Sequence, residues 1–139
     1  MTKDEELTKY MTLIEQYKEQ MNSIETQFSY VQAAINDYNK AKITLEQLNN
    51  TEKDADILLP IGGSTFINAT AKNPSKVLFD IGGGIVTEKT SEDAIKKIEK
   101  RTEDLQKTQE RLFALMQQLQ AEATDISAKA QQLIEEQQQ

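Results

Sequence analysis

The chain has 139 residues, 37% of them apolar and 6% aromatic, with no cysteine, tryptophan or histidine. That composition excludes a disulfide framework, a zinc site of Cys or His ligands, and a histidine general base. The 16 basic and 23 acidic residues leave a net charge of -7, which makes duplex nucleic acid and anionic membranes poor partners.

The first ten residues are charged and read as helix, not as a basic, apolar leader. No apolar run approaches the ~18–20 residues of a membrane span. The expectation is a soluble, cytoplasmic protein. Thr2-Lys3-Asp4-Glu5 is a capping-box start. Behind it runs a heptad: Leu7, Ile14, Met21, Phe28 and Ile35, each followed three residues later by Tyr10, Tyr17, Ile24, Val31 and Tyr38. A period of 3.5 turns one apolar stripe toward one partner along the whole helix. The pattern breaks with Lys42 at the next seam site before Leu45, and Leu48 falls off the register. Asn49-Asn50 is the expected end, because Asn tolerates the left-handed conformation. Residues 1–50 are thus a coiled-coil helix.

Composition then changes. All 5 glycines and both prolines lie between Ile57 and Lys89. Ile57-Leu58-Leu59-Pro60-Ile61 is a short apolar run, Gly62-Gly63 is a two-residue hairpin signal, and Thr65 to Ala71 continues as a strand. Asn73-Pro74 turns the chain. In the next strand Val77, Phe79 and Ile81 share one face, Gly82-Gly83-Gly84 turns again, and Ile85 to Lys89 completes the segment. The pattern predicts two β-hairpins, 57–71 and 76–89.

Residues 91–139 repeat the helical pattern. Ile98, Leu105, Leu112, Leu119, Ile126 and Leu133 form a strict large row. Three residues before each stand Ile95, Thr102, Gln109, Met116, Ala123 and Ala130, mostly small or polar. Ser91 is the expected N-cap, with Glu92 and Asp93 suited to the positive end of the helix dipole. Each helix holds about 45 residues and spans roughly 65–70 Å, too long for a compact domain of this size. The matching lengths predict an antiparallel hairpin in which the small row receives the bulky one. The fold class is therefore α+β: a long antiparallel two-helix coiled coil with two β-hairpins at the helix junction, forming one domain over 1–139.

A sheet of about 33 residues buries too little surface to make its own core, and its edges are open. Other subunits should cover it. The expected oligomerisation residues are Ile57, Leu59, Ile61, Phe66, Ile67, Val77, Phe79, Ile81, Ile85 and Val86. A second apolar group gathers where the antiparallel arrangement brings the chain ends together: Leu7, Tyr10, Met11, Leu13, Ile14, Ile126, Leu133 and Ile134. Leu7, Ile14, Ile126 and Leu133 suit the zipper, whereas Met11, Leu13 and Ile134 fall outside the seam rows. Either the group simply closes the coil, or it is a frayed end that touches unfolded clients, a role for which methionine is adaptable. Between 112 and 139 one basic residue, Lys129, faces Glu122, Asp125, Glu135 and Glu136, so this end is acidic; that reads first as a solvated helix face.

Asp80-Ile81-Gly82-Gly83-Gly84 resembles a phosphate loop of actin-like ATPases, whose backbone amides cradle phosphate. That fold needs several hundred residues and a second loop, and the chain has no Gly-Lys-Ser/Thr motif; a tight hairpin turn accounts for the glycines. The carboxylate neighbours Asp54/Asp56, Glu103/Asp104 and Glu135/Glu136 have no apolar pocket to tune them. No catalytic residue, metal site or cofactor is expected.

Helix, two hairpins and helix, with Leu58-Leu59-Pro60-Ile61 in the first strand and Asp80 to Lys89 around the last turn, resembles the alpha class of the prefoldin family. The likeness covers essentially the whole chain and is most specific over 57–95. Two hairpins suit the alpha class, where the beta class has one. Three glycines at 82–84 stand where members often carry Gly-Ala-Gly. The resemblance implies an ATP-independent cytosolic chaperone subunit. Two alpha-type and four beta-type subunits would join through their β segments, and client proteins held at the coiled-coil tips would pass to a group II chaperonin. A structural coiled-coil oligomer without clients is the alternative.

Overall fold

The computed structural model describes residues 2–138, so the outermost positions of the expected helices, Met1 and Gln139, lie outside the described residues. The order is α1 (Lys3–Asn49), β1 (Ala55–Gly62), β2 (Thr65–Ala71), β3 (Lys76–Gly82), β4 (Ile85–Thr90) and α2 (Ser91–Gln137). The strands form two separate two-stranded antiparallel sheets, β1–β2 and β3–β4. The expected fold class is the one observed.

The chain divides into two compact units, one of residues up to Ala34 and from Leu105 onward, the other of Ile35–Asp104. In the first unit the two helical stretches run antiparallel. Lys3 Nζ stands 3.3 Å from a Glu136 carboxylate oxygen, Gln137 Nε2 donates to Asp4 Oδ1 at 2.9 Å, and Gln109 Nε2 donates to Gln32 Oε1 at 2.8 Å. Its buried centre holds Ile24, Leu119 and Ala130. The second unit contains both hairpins and the adjoining turns of the helices, with Ile35, Ala94 and Ile98 buried. Lys42 reaches Glu99 there at 3.2 Å, again antiparallel.

The heptad explains which side chains point inward. All ten seam residues of α1, from Leu7 to Tyr38, are buried or half-buried, as are both rows of α2. Beyond Tyr38 the inward residues of α1 are Ala41, Lys42, Leu45 and Leu48. Leu48 turns inward although it lies outside the heptad, because a helix released from a 3.5 repeat drifts back toward 3.6 residues per turn.

The start of α1 follows the sequence reading, whereas the end of α1 and the start of α2 depart from it in detail. The capping box forms: Glu5 N donates to Thr2 Oγ1 at 3.1 Å, and Thr2 N to Glu5 Oε2 at 3.3 Å. The cap of α2, however, is Thr90, whose hydroxyl accepts from Asp93 N at 3.1 Å. Ser91 is drawn into the first turn and fully buried. The end of α1 uses no left-handed Asn; Asn50 N and Thr51 N bond the carbonyls of Gln47 and Leu48 in a tightened last turn. The left-handed residue is Asp54, at φ 61°. It starts β1 two residues before the expected Ile57, with Asp54 N donating to Ala71 O at 2.8 Å.

Candidate functional site

The two hairpins share one construction. Each has a register shift just before its turn, between Pro60 and Gly62 and between Asp80 and Gly82, which leaves Ile61 and Ile81 as the extra residues. The bulge moves the first turn one residue on from the expected Gly62-Gly63, to Gly63-Ser64. Gly63 and Ser64 have φ of 56° and 58°, and Gly83 and Gly84 have φ of 61° and 77°. Two successive positive φ values make the hairpin turn whose twist matches the strands. Asp80 Oδ1 accepts from Gly82 N at 2.8 Å, so the aspartate of the Gly-rich motif closes its own bulge.

The second hairpin is bonded to the helices. Ser91 N donates to Ser75 O at 2.8 Å and Ser91 Oγ to Pro74 O at 3.0 Å, tying the start of β3 to the start of α2. Arg101, one turn further along α2 than Ile98, reaches back to the sheet. Its Nη2 donates to Asp80 O at 3.0 Å. Its guanidinium carbon lies 4.6 Å from the Phe79 ring centre and 5.9 Å from that of Tyr38 on α1. Flat, delocalised guanidinium suits such stacking, as lysine does not. One face of this hairpin, Val77, Phe79, Thr87 and Lys89, is half-buried; the other is exposed.

The first hairpin is half-buried only near its base, at the facing residues Ala55 and Ala71 and at Ile57 and Ala69. Leu59 and Ile67, the next facing pair on that side, are each 47% exposed. Of the fourteen large apolar side chains that stand exposed among the described residues, nine belong to the hairpins: Leu58, Leu59, Ile61, Phe66, Ile67, Leu78, Ile81, Ile85 and Val86. Seven of these are among the ten residues expected to join subunits; Ile57, Val77 and Phe79 are half-buried, and Leu58 and Leu78 were not expected.

At the chain ends, Leu7, Tyr10, Leu13, Ile14, Ile126, Leu133 and Ile134 are half-buried, and Met11 alone of the group is exposed. The off-seam positions of Leu13 and Ile134 therefore do not put them in open solvent. The phenol of Tyr17, deeper in the coil, is pushed above its ordinary value by partial desolvation, then by the Glu122 carboxylate that accepts its hydrogen bond and by Asp125. A hollow of about 430 Å3 lies farther along, lined by Ile24, Glu25, Phe28, Ser29, Leu112, Phe113 and Met116. Among the described residues no cluster of carboxylates could hold a metal ion, and no helix is long and apolar enough to cross a membrane.

A family profile described as prefoldin subunit matches residues 17–136. The chain belongs to the prefoldin family. Among its relatives, the prefoldin subunit alpha of Methanospirillum hungatei is 30% identical, with 92% of this chain and 85% of the relative aligned. That of Methanosarcina barkeri is 29% identical over 84% of this chain and 88% of the relative. A filamentous PFD from Methanocaldococcus jannaschii, solved by cryo-EM, has the same fold: TM-score 0.73 at 22% identity, covering 84% of this chain and 97% of that one.

Three features of the site escaped the sequence reading. Arg101 is one of only two arginines among 16 basic residues, and that scarcity was the available signal. The Ser91 tie to Pro74 depends on two segments 17 residues apart and leaves no local pattern. Phe113 directly follows the seam residue Leu112 and is 58% exposed; an aromatic one step off a strict row was legible as an apolar flank.

Proposed function

We propose that this prefoldin chain is a non-enzymatic holdase subunit that keeps unfolded proteins from aggregating without nucleotide. The observation that carries the reading is the family match over residues 17–136. The whole chain reads as one prefoldin-like domain, in which the exposed apolar hairpins join subunits and the helical end meets clients. Nine exposed apolar side chains on two small sheets support the first part, since exposed apolar surface concentrated in one segment is a mark of an interaction site. The expected partners are beta-type prefoldin subunits, four with two of this chain in a cytoplasmic hexamer, and a group II chaperonin that receives the client. Ile57, Leu59, Ile61, Phe66, Ile67, Val77, Phe79, Ile81, Ile85 and Val86 are the proposed assembly residues. Leu7, Tyr10, Met11, Leu13, Ile14, Ile126, Leu133 and Ile134 are the proposed client residues at the helical end.

The test is aggregation of a chemically denatured substrate, followed by light scattering, with the purified assembly present and ATP absent. Suppression is expected. An assembled protein that gives no protection would leave the second reading, a coiled-coil spacer without clients.

A further inference from the structure

The hollow beside Phe113 has a composition that the closing of a coil does not require. Ile24, Leu112 and Met116 belong to the seam, but Phe113 stands outside it, 58% exposed, opposite Phe28 and Glu25. Gln120 and Ser127 follow Phe113 at seven-residue steps, on the same side of α2. They line a second hollow, of about 560 Å3, with Met21, Ala123 and Thr124. One side of the first unit thus presents an aromatic and thioether pocket followed by small and hydrogen-bonding side chains.

We propose that this side of the coil is a binding groove for an extended, unfolded polypeptide segment carrying apolar side chains beside a basic residue. The proposal deepens the holdase reading and rests on it. Three features select that occupant. An extended segment brings unpaired backbone N–H and C=O groups, and Gln120, Thr124, Ser127 and Ser29 supply partners for them; a folded protein has already paired its own backbone. The apolar part is a few side chains wide, far below the roughly 800 Å2 per partner of a stable interface between folded proteins, so a second copy of the coil does not fit it. The charge is one-sided: residues 1–34 and 105–139 carry 6 basic and 11 acidic side chains, and Glu25 is the charged residue of the first hollow. The adaptable thioethers of Met21 and Met116 suit varied side chains.

The test uses the assembled full-length protein and two labelled, unstructured peptides of alternating Leu and Ser, one flanked by Arg and one by Glu, with binding read by fluorescence anisotropy. Phe113→Ser removes the exposed wall of the pocket. Tyr30→Ser, at a more exposed aromatic (74%) that lines neither hollow, is the control. The Arg-flanked peptide should bind more tightly than the Glu-flanked one. Phe113→Ser should weaken it about tenfold, the worth of one aromatic burial, with Tyr30→Ser unchanged and Phe113→Leu close to the parent. Equal effects of the two Ser variants would overturn the groove, as would equal affinity for the two peptides. A lower assembly mass for Phe113→Ser would also overturn it, by placing another subunit there. A parent protein that binds neither peptide and fails to suppress aggregation would remove the holdase reading itself.

Discussion

Hairpins β1–β2 and β3–β4 share a bulged register and a left-handed two-residue turn, yet among the described residues only the second is hydrogen-bonded to a helix. β4 runs into α2 without a linker, Ser91 holds the start of β3, and Arg101 holds its far end through Asp80 and Phe79. The first hairpin meets the end of α1 through the turn at 50–54 and exposes Leu59 and Ile67 where its counterpart keeps Val77 and Phe79 half-buried. A two-stranded sheet is marginal in water. The second hairpin draws part of its stability from the helices of its own chain, whereas the first draws less from them.

The largest effect expected from this difference comes from charge placed in the apolar faces. Leu59→Asp with Ile67→Asp, or Val77→Asp with Phe79→Asp, should cost several kcal/mol, roughly, if the face is covered in the assembly. Sedimentation should show smaller species for both pairs. The hairpins part company in the second measurement: the Val77/Phe79 pair also removes the ring under Arg101 and should lower the thermal midpoint of the dissociated subunit, which the Leu59/Ile67 pair should leave near the parent. An unchanged assembly mass for either pair would show that its hairpin is not an interface.

Arg101→Lys comes next. Lysine keeps the charge but loses the planar stack on Phe79 and the directed bond to the Asp80 carbonyl, a loss of about 1–2 kcal/mol. Hydrogen exchange of the β3–β4 amides should rise toward the rate of β1–β2, with β1–β2 unchanged. If β3–β4 protection survives, the Ser91 tie alone holds the second hairpin. Ser91→Ala tests that tie directly: Pro74 O loses its hydroxyl donor at a buried position, for about 1 kcal/mol. Its effect should appear at the start of β3, whereas Thr90→Ala, a lost helix cap of about 1 kcal/mol, should appear in the first turn of α2.

What the sequence displayed and what it hid divide along physical lines. The helices were legible because ten seam residues from Leu7 to Tyr38 repeat without interruption, and a sustained 3.5 period has one structural solution. The strands were legible through Gly82-Gly83-Gly84 and the alternation of Val77, Phe79 and Ile81. The turn at Gly63-Ser64 was displaced from its expected place because a bulge at Ile61 has no local sequence mark. The cap moved from Ser91 to Thr90 because the hydroxyl of Ser91 is taken by Pro74, a tertiary partner that local propensity does not register. At the helical end, Leu13 and Ile134 lie beside the seam and are half-buried, because flanking residues of a two-helix coil are partly covered by the facing helix.

The smallest effect tests the turns themselves. Ser64 stands at φ 58° where its counterpart is Gly84, at φ 77°. A side chain in that region costs roughly 1–2 kcal/mol, a cost glycine does not carry. Ser64→Gly also loosens the unfolded chain, which takes back about 0.4–1 kcal/mol. The difference favours glycine by roughly 0 to 1.6 kcal/mol, about 0.8 at the midpoints, so β1–β2 should exchange its amides slightly more slowly in the variant. The reciprocal change, Gly84→Ser, meets no atom within 4 Å of its new Cβ; its effect is therefore conformational and should be of similar size and opposite sign in β3–β4. Because Arg101 and Ser91 already hold that hairpin, Gly84→Ser should leave its overall protection above that of β1–β2. A Gly84→Ser chain in which β3–β4 becomes the less protected hairpin would mean that the turns, and not the ties to α2, set the difference between the two.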